Sequence, residues 1–199
     1  STTWDFVVLN DYTQAPARPD SAAKSVAALK EVYAPLLKKS VAILVQTPAY
    51  RLTDINDSED LGDFDTFSDR LADGLATYKS TLESVGVQAR IAPVGEAFRN
   101  IFRTNKSLFN KLYSWDSFHP SPYGTWLGAC VIYCTLLQQP PPTFDAMWWE
   151  QSRYMQPPDQ KPLPLPNEAE AETLRGIACR ACGIGPNAET ELEKTLIAG

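Results

Sequence analysis

The chain has 199 residues, a single histidine and a formal charge of −6, a length that suits one domain with a substantial core. Its acidic balance excludes a typical nucleic-acid binder, which carries a basic face to meet phosphates. No apolar run approaches the ~18 residues that would cross a bilayer, so no transmembrane segment is expected.

The opening Ser1-Thr2-Thr3-Trp4 lacks methionine and a signal-peptide pattern and reads as a processed or truncated beginning. "WDFVVLN", Trp4 to Asn10, is a short apolar strand that ends in polar residues, followed by a Pro-, Asn- and Asp-rich loop. Ser21 is placed to cap a helix in which Val26, Leu29, Val32, Tyr33, Leu36 and Leu37 recur at helical spacing, with Pro35 kinking it near its end. "VAILVQ", Val41 to Gln46, is a continuous apolar run of the kind that forms a strand covered on both faces.

The acidic stretch "DINDSEDLGDFD", Asp54 to Asp65, does not match a calcium-loop spacing and reads as a solvated, mobile insertion. A helix follows with Phe67, Leu71, Leu75, Tyr78 and Leu82 on one face and Gly86 beyond its end. "VQARIAPV", Val87 to Val94, gives a third strand, "GEAFRNIF" and "KSLFNKLY" two short helices, and "PYGTWLGACVIYCTLLQ" a strongly apolar helix. Strand and helix alternate, which predicts an α/β fold with a parallel sheet and right-handed crossovers.

From Gln138 the composition changes to a proline-rich strap containing Trp148-Trp149, then a capped helix from Asn167 and another from Pro186. The division expected is 1–137 for the α/β domain and 138–199 for a strap and helices packed on it. Cys130 and Cys134 read as buried core residues. Cys179 and Cys182 form C-R-A-C without the βαβ setting of a redox motif. Four cysteines allow three pairings, which stay open, and one histidine with scattered thiols does not predict a zinc site.

The histidine lies in "DSFHPSPYG", Asp116 to Gly124. Asp116 and His119, at i and i+3, can turn toward each other so that the carboxylate fixes the ring tautomer while the ring exchanges a proton. Pro120 and Pro122 stiffen this segment, and Gly124 permits a tight turn into the next helix. Asn10, at a strand end, can offer its amide to a developing oxyanion, and ligands of open parallel sheets bind at the carboxyl ends of strands.

"DSFHPSPYGTWLGACVIYCTLL" resembles the last block of the SGNH (GDSL-like) hydrolases, in which Asp-x-x-His-Pro-Ser precedes a helix of small and apolar residues. "DFVVLNDYTQAPARP" resembles the strand and loop that carry that superfamily's Asn. "VAILVQTPAYR" and "VQARIAPVGEAF" resemble the strands between. The likeness covers roughly Trp4 to Leu137. It implies a three-layer α/β/α, flavodoxin-like sandwich and hydrolysis of small esters through an acyl-serine, without metal or organic cofactor. It makes His119 the general base, Asp116 its orienter and Asn10 an oxyanion-hole donor.

The family's Gly-Asp-Ser, on the first strand, is not in this sequence. "LGDFDTFS" imitates it on the wrong side of Asn10, with Ser68 near a helix start, and Ser121 of "HPS" is structural in the family. The nucleophile is therefore expected on an N-terminal fragment of the same precursor or another protein subunit. Without the missing strand, an apolar sheet edge beside the Asn strand would be exposed. The alternatives are a non-catalytic SGNH-like subunit of a larger assembly, docking through Trp148-Trp149, and a plain flavodoxin-like binding domain. Processing and the cysteines favour a secreted or organellar compartment.

Overall fold

A computed structural model of the chain describes residues 4–52, 54–145, 147 and 163–185. Three strands, β1 (Phe6–Leu9), β2 (Val41–Val45) and β3 (Gln88–Ala92), form a parallel sheet in the order β1-β2-β3. Phe6 lies opposite Val41, and Val41 opposite Gln88. Parallel neighbours need crossover connections, and right-handed crossovers in this order carry both intervening helical segments to one face.

Alternation along the strands divides the core. Ala42, Leu44 and Ala89 pack with Leu29, Leu37, Leu75 and Leu82 from the two crossovers. Ile43 and Ala92 pack with Phe98, Leu127 and Leu174 on the opposite face. The middle of β2 is fully covered, with Ala42, Ile43 and Leu44 at 0 to 2% exposure, as its continuous apolar run predicts. The architecture is thus mixed α/β, with a three-stranded parallel sheet between helical layers.

The first crossover begins at α1 (Pro19–Ala28), two residues before Ser21, because Pro19 presets the first helical turn. A π turn over Leu29–Tyr33 follows, then α2 (Ala34–Leu37). The expected disturbance at Pro35 takes this form: the ring would clash with the carbonyl four residues back, and a widened turn just upstream accommodates it. The second crossover, α3 (Phe64–Ser84), starts a turn earlier than its apolar face indicated, because Asp63 caps it by accepting from the Thr66 amide at 2.8 Å.

The acidic segment is fastened rather than simply solvated. Arg18 grips the Asp60 carboxylate with two nitrogens at 2.6 and 2.8 Å and also donates to the Asp57 carbonyl. Arg70 donates to the Asp60 carbonyl at 2.9 Å, while Leu61 is buried in the core. Asp65 belongs to a separate cluster in which Arg99 and Arg103 both donate to its Oδ1 at 2.8 Å.

After β3 come α4 (Val94–Thr104), α5 (Lys106–Lys111), α6 (Pro122–Leu137) and α7 (Glu168–Ala181). At "PVGEAF", a side chain on Gly95 would meet the Thr47 carbonyl oxygen at 2.8 Å, so glycine lets α4 approach the end of β2. Helix α6 is apolar on most of its circumference because it lies between the sheet, α4 and α7. Trp126 donates from its indole to the Ala171 carbonyl at 3.0 Å, joining α6 to α7.

Asn167 and Glu170 form a capping box that starts α7. The first residues of the strap lie against α6 and α7: Phe144 meets Trp126 at 5.1 Å between ring centroids, and Arg175 donates to the Pro141 carbonyl at 3.0 Å. Trp148-Trp149 and the helix expected from Pro186 lie outside the described residues. None of the four cysteines is in a disulfide. Among the described residues, no helix is long and apolar enough to cross a membrane.

On its outer edge β1 has no strand partner among the described residues. Val8 is 47% exposed there, and Trp4, just before the strand, is 65% exposed.

Candidate functional site

The "DSFHPS" segment is a closed loop between α5 and α6. Its neck is a single antiparallel bridge between Tyr113 and Pro120. Ser114 donates its backbone N–H to the His119 carbonyl at 2.8 Å, and Ser121 donates to the Leu112 carbonyl at 2.9 Å. Inside the loop, Asp116 Oδ1 accepts the amides of Phe118 at 3.1 Å and His119 at 2.9 Å. A short acidic side chain that bonds the backbone two and three residues ahead is what builds such a turn.

The other oxygen of the same carboxylate, Oδ2, lies 2.6 Å from Nδ1 of His119. Burial pushes the Asp116 carboxyl up, but the hydrogen bonds from the His119 ring and amide and the Phe118 amide outweigh it and hold the group below its ordinary value. It is therefore a carboxylate at neutral pH, so Nδ1 is the donor in this bond, and whenever the ring is neutral Nε2 is the acceptor nitrogen. The His119 side chain is 66% exposed, and that of Asp116 is 20% exposed. Among the described residues no hydrogen bond engages Nε2.

The loop is anchored to the segment that follows β2, by residues with no signal in the sequence. Arg51 donates its backbone N–H to the Ser117 carbonyl at 2.8 Å and Nη2 to the Ser117 hydroxyl at 2.7 Å. Ser117 has φ 67°, a left-handed conformation costly for a residue with a side chain. Tyr113 donates its hydroxyl to the Ala49 carbonyl at 2.6 Å. The ring of Tyr50 packs on Phe118 at 5.4 Å, and Phe118 lies 4.1 Å from the His119 ring. Burial pushes the hydroxyls of Tyr50 and Tyr113 up, so both stay protonated, Tyr113 as a donor and Tyr50 as the acceptor of a bond from Asn56.

Asn10 follows β1 directly, at the carboxyl end of the sheet. It is exposed, and no hydrogen bond holds its side chain among the described residues. Its neighbour Asp11 fixes the turn, accepting from Ser25 Oγ at 2.6 Å, Tyr78 OH at 2.9 Å and the Tyr12 amide at 2.8 Å. Burial, with the Asp11 carboxylate adding to it, pushes the Tyr78 hydroxyl up to about 12. Asn10, Asp11, Leu9, Leu44, Thr47 and Tyr78 help line a cavity of about 210 Å³, and His119 is outside its wall.

Asn10 and His119 do not touch through a hydrogen bond. What joins their loops is a relay of side chains. Asn56 donates to the hydroxyls of Tyr12 at 3.2 Å and Tyr50 at 3.0 Å, and Tyr50 leads through Phe118 to His119. Asp11 is visible in the sequence as the residue after Asn10. Arg51, Tyr50 and Asn56 give no sequence signal, because the residues through which they join the two loops, Ser117, Phe118 and Tyr12, lie far along the chain.

Neither serine weighed as a nucleophile faces His119. Ser68 is buried in α3 and donates to the Phe64 carbonyl at 2.7 Å. Ser121 caps α6, accepting from the amides of Tyr123 at 3.1 Å and Gly124 at 3.3 Å while donating to the Lys111 carbonyl. The "Gly-Asp" of Gly62-Asp63 is a helix cap. Gly124 lies within α6 rather than in a turn; a side chain there would meet the Leu112 carbonyl oxygen at 2.2 Å. Its requirement is space, not backbone freedom.

No protein-family model matches the chain, and no curated protein matches it. Among solved structures, a DUF4886 family protein from Bacteroides uniformis ATCC 8492 is similar, with a TM-score of 0.62 and 19% sequence identity. The match covers 94% of this chain and 66% of that protein. At that identity the likeness shows the fold alone.

Proposed function

We propose that this chain carries the proton-transfer half of a serine ester hydrolase of the SGNH type. His119 is the general base, Asp116 its orienter and Asn10 an oxyanion donor. The serine belongs to a segment outside these residues, on an N-terminal fragment of the same precursor or another subunit. One observation carries the reading: Nδ1 of His119 is held at 2.6 Å by a carboxylate, while the ring is 66% exposed on a loop tied by Tyr113 and Ser117 to the segment that follows the carboxyl end of β2. The outer edge of β1, which has no strand partner among the described residues, supports it, since a further strand bearing the nucleophile would cover that edge and end beside Asn10.

In this reading the serine hydroxyl attacks the ester carbonyl as Nε2 takes its proton. Asn10 donates to the oxyanion of the tetrahedral intermediate, and the imidazolium returns the proton to the departing alcohol. Water then repeats the sequence on the acyl-serine, and the small acid leaves. Asp116 stays ionised throughout and stabilises the imidazolium.

The test uses material purified from its native source and a fluorophosphonate probe. Labelling of a companion chain or fragment, lost when His119→Ala is introduced, is the expected result. No labelling of any associated chain would replace this reading with that of a non-catalytic subunit.

A further inference from the structure

Helices α6 and α7 run side by side in one direction, joined at their beginnings by Tyr123, which donates to Glu170 at 2.6 Å, and Lys111, which pairs with Glu170 at 2.5 Å. Trp126 of α6 then meets Ala171 of α7 through the indole hydrogen bond. Eight residues further along each helix stand Cys134 and Cys179, whose sulfurs lie 3.8 Å apart. A step of eight returns to the same stripe of a helix, so both cysteines fall on the faces that Trp126 and Ala171 already bring together. The register of two packed helices sets this sulfur–sulfur contact.

The two members differ in access. Cys134 is 0% exposed and Cys179 is 8% exposed. Cys179 also belongs to the wall of a cavity of about 250 Å³ shared with Arg175, Arg180, Ile184 and Gly185. Arg180 and Gly185 are exposed, so the cavity opens to solvent and a small reagent can approach the α7 side of the pair. Cys182, at the end of α7, is engaged elsewhere: its sulfur lies 3.6 Å from both the Thr135 hydroxyl and the Val131 carbonyl. Among the described residues, no three histidine, cysteine or acidic side chains are placed to hold a metal ion. The arrangement is one of a facing pair.

We propose that Cys134 and Cys179 form a reversible disulfide that staples the end of α7 to α6, made by a low-molecular-weight disulfide and undone by a dithiol. Cys179, its proton lost to solvent, attacks one sulfur of the reagent. That S–S bond breaks, a thiolate leaves and takes up a proton, and a mixed disulfide remains on Cys179. The Cys134 sulfur then attacks the Cys179 sulfur. The protein S–S bond forms, the mixed S–S bond breaks, and the second reagent thiol departs with the Cys134 proton. Two electrons pass from the thiol pair to the reagent. Closing the pair from 3.8 Å to the ~2.05 Å of a disulfide asks for side-chain rotation, and the helices need not separate.

Trypsin distinguishes the pairings, because Cys179 and Cys182 fall on separate fragments, 176–180 and 181–194, and Cys134 on 112–153. The folded chain is treated with oxidised glutathione, its remaining thiols are alkylated, and the digest is read by mass spectrometry without reduction. Fragment 112–153 is expected joined to 176–180, two hydrogens lighter than the pair and released by dithiothreitol. Fragmentation should assign the bond to Cys134 rather than Cys130, and Cys182→Ser should keep it. Because the bridge ties residues 45 apart, the oxidised chain should melt roughly 10 °C higher than the reduced one. A bridge from 112–153 to 181–194, a bridge between Cys179 and Cys182, a bond to Cys130, links only between molecules, glutathione left on Cys179 without closure, or both thiols still open to alkylation would each overturn the proposal.

Discussion

Asp116 holds His119 twice, taking its backbone amide at 2.9 Å on one oxygen and its ring Nδ1 at 2.6 Å on the other. The loop's shape and the orientation of the imidazole therefore depend on a single carboxylate. Asp116→Asn keeps an oxygen for the amides but turns an NH₂ toward Nδ1, which must then accept, so the proton moves to Nε2. The chain should stay folded with the tautomer reversed, visible in the 15N shifts of the His119 ring. In the complemented esterase, labelling should fall by about 10⁴-fold, the cost of a wrong tautomer in such a dyad. An unchanged tautomer would remove Asp116 from the role of orienter.

Glu170 supplies the clearest acid response. Hydrogen bonds from Lys111, then from Tyr123, hold its carboxyl down to about 2 against burial, which opposes them, from an ordinary value of 4.5. A lowered folded value adds stability that is complete above 4.5 and drains away as pH falls toward 2. Its side chain is 24% exposed, so solvent screening limits the contribution to about 1–2 kcal/mol. Denaturant titrations from pH 2 to 6 should show Glu170→Gln less stable by that amount at pH 6, with the gap closing near pH 2.

Arg51 is the strut between the segment that follows β2 and the histidine loop. Besides Ser117 it reaches the Asn110 carbonyl at 3.2 Å, and it holds a serine whose left-handed backbone is unfavourable in isolation. Arg51→Ala should cost about 1–2 kcal/mol, the worth of charged-donor hydrogen bonds, felt mainly in the loop. Amide exchange at Phe118 and His119 should quicken roughly tenfold while β2 is little changed. Arg51→Lys should not restore protection, since an ammonium lacks the fork that spans both acceptors.

What could be read in the sequence was local. Asp116 and His119 are three residues apart, so their pairing can be seen without knowing the fold, and the apolar run of Val41 to Val45 marks a covered strand by itself. Helix starts were missed where a terminal residue outweighed periodicity, as Pro19 and Asp63 do. The acidic segment looked solvated because its partner, Arg18, lies 42 residues before Asp60. Arg51 and Ser117 are 66 apart, and only the crossovers bring them together. The framing of the loop is tertiary, and a hydrophobicity pattern does not carry it.

Gly124 and Gly128, one turn apart on α6, separate packing from propensity. A methyl at Gly124 would sit 2.2 Å from the Leu112 carbonyl and 2.9 Å from Phe98, whereas at Gly128 the nearest atom is Val94 Cγ1 at 3.5 Å. The Leu112 carbonyl accepts the Ser121 amide at the neck of the histidine loop, so α6 cannot withdraw without loosening that neck. Gly124→Ala should destabilise by about 2–3 kcal/mol, as overpacking against rigid neighbours does. Gly128→Ala should gain up to about 1 kcal/mol of helix propensity. Thermal melts of the two variants should therefore move in opposite directions. Equal shifts would mean that α6 is free to slide, and that the loop carrying His119 is not set by its contact with Leu112.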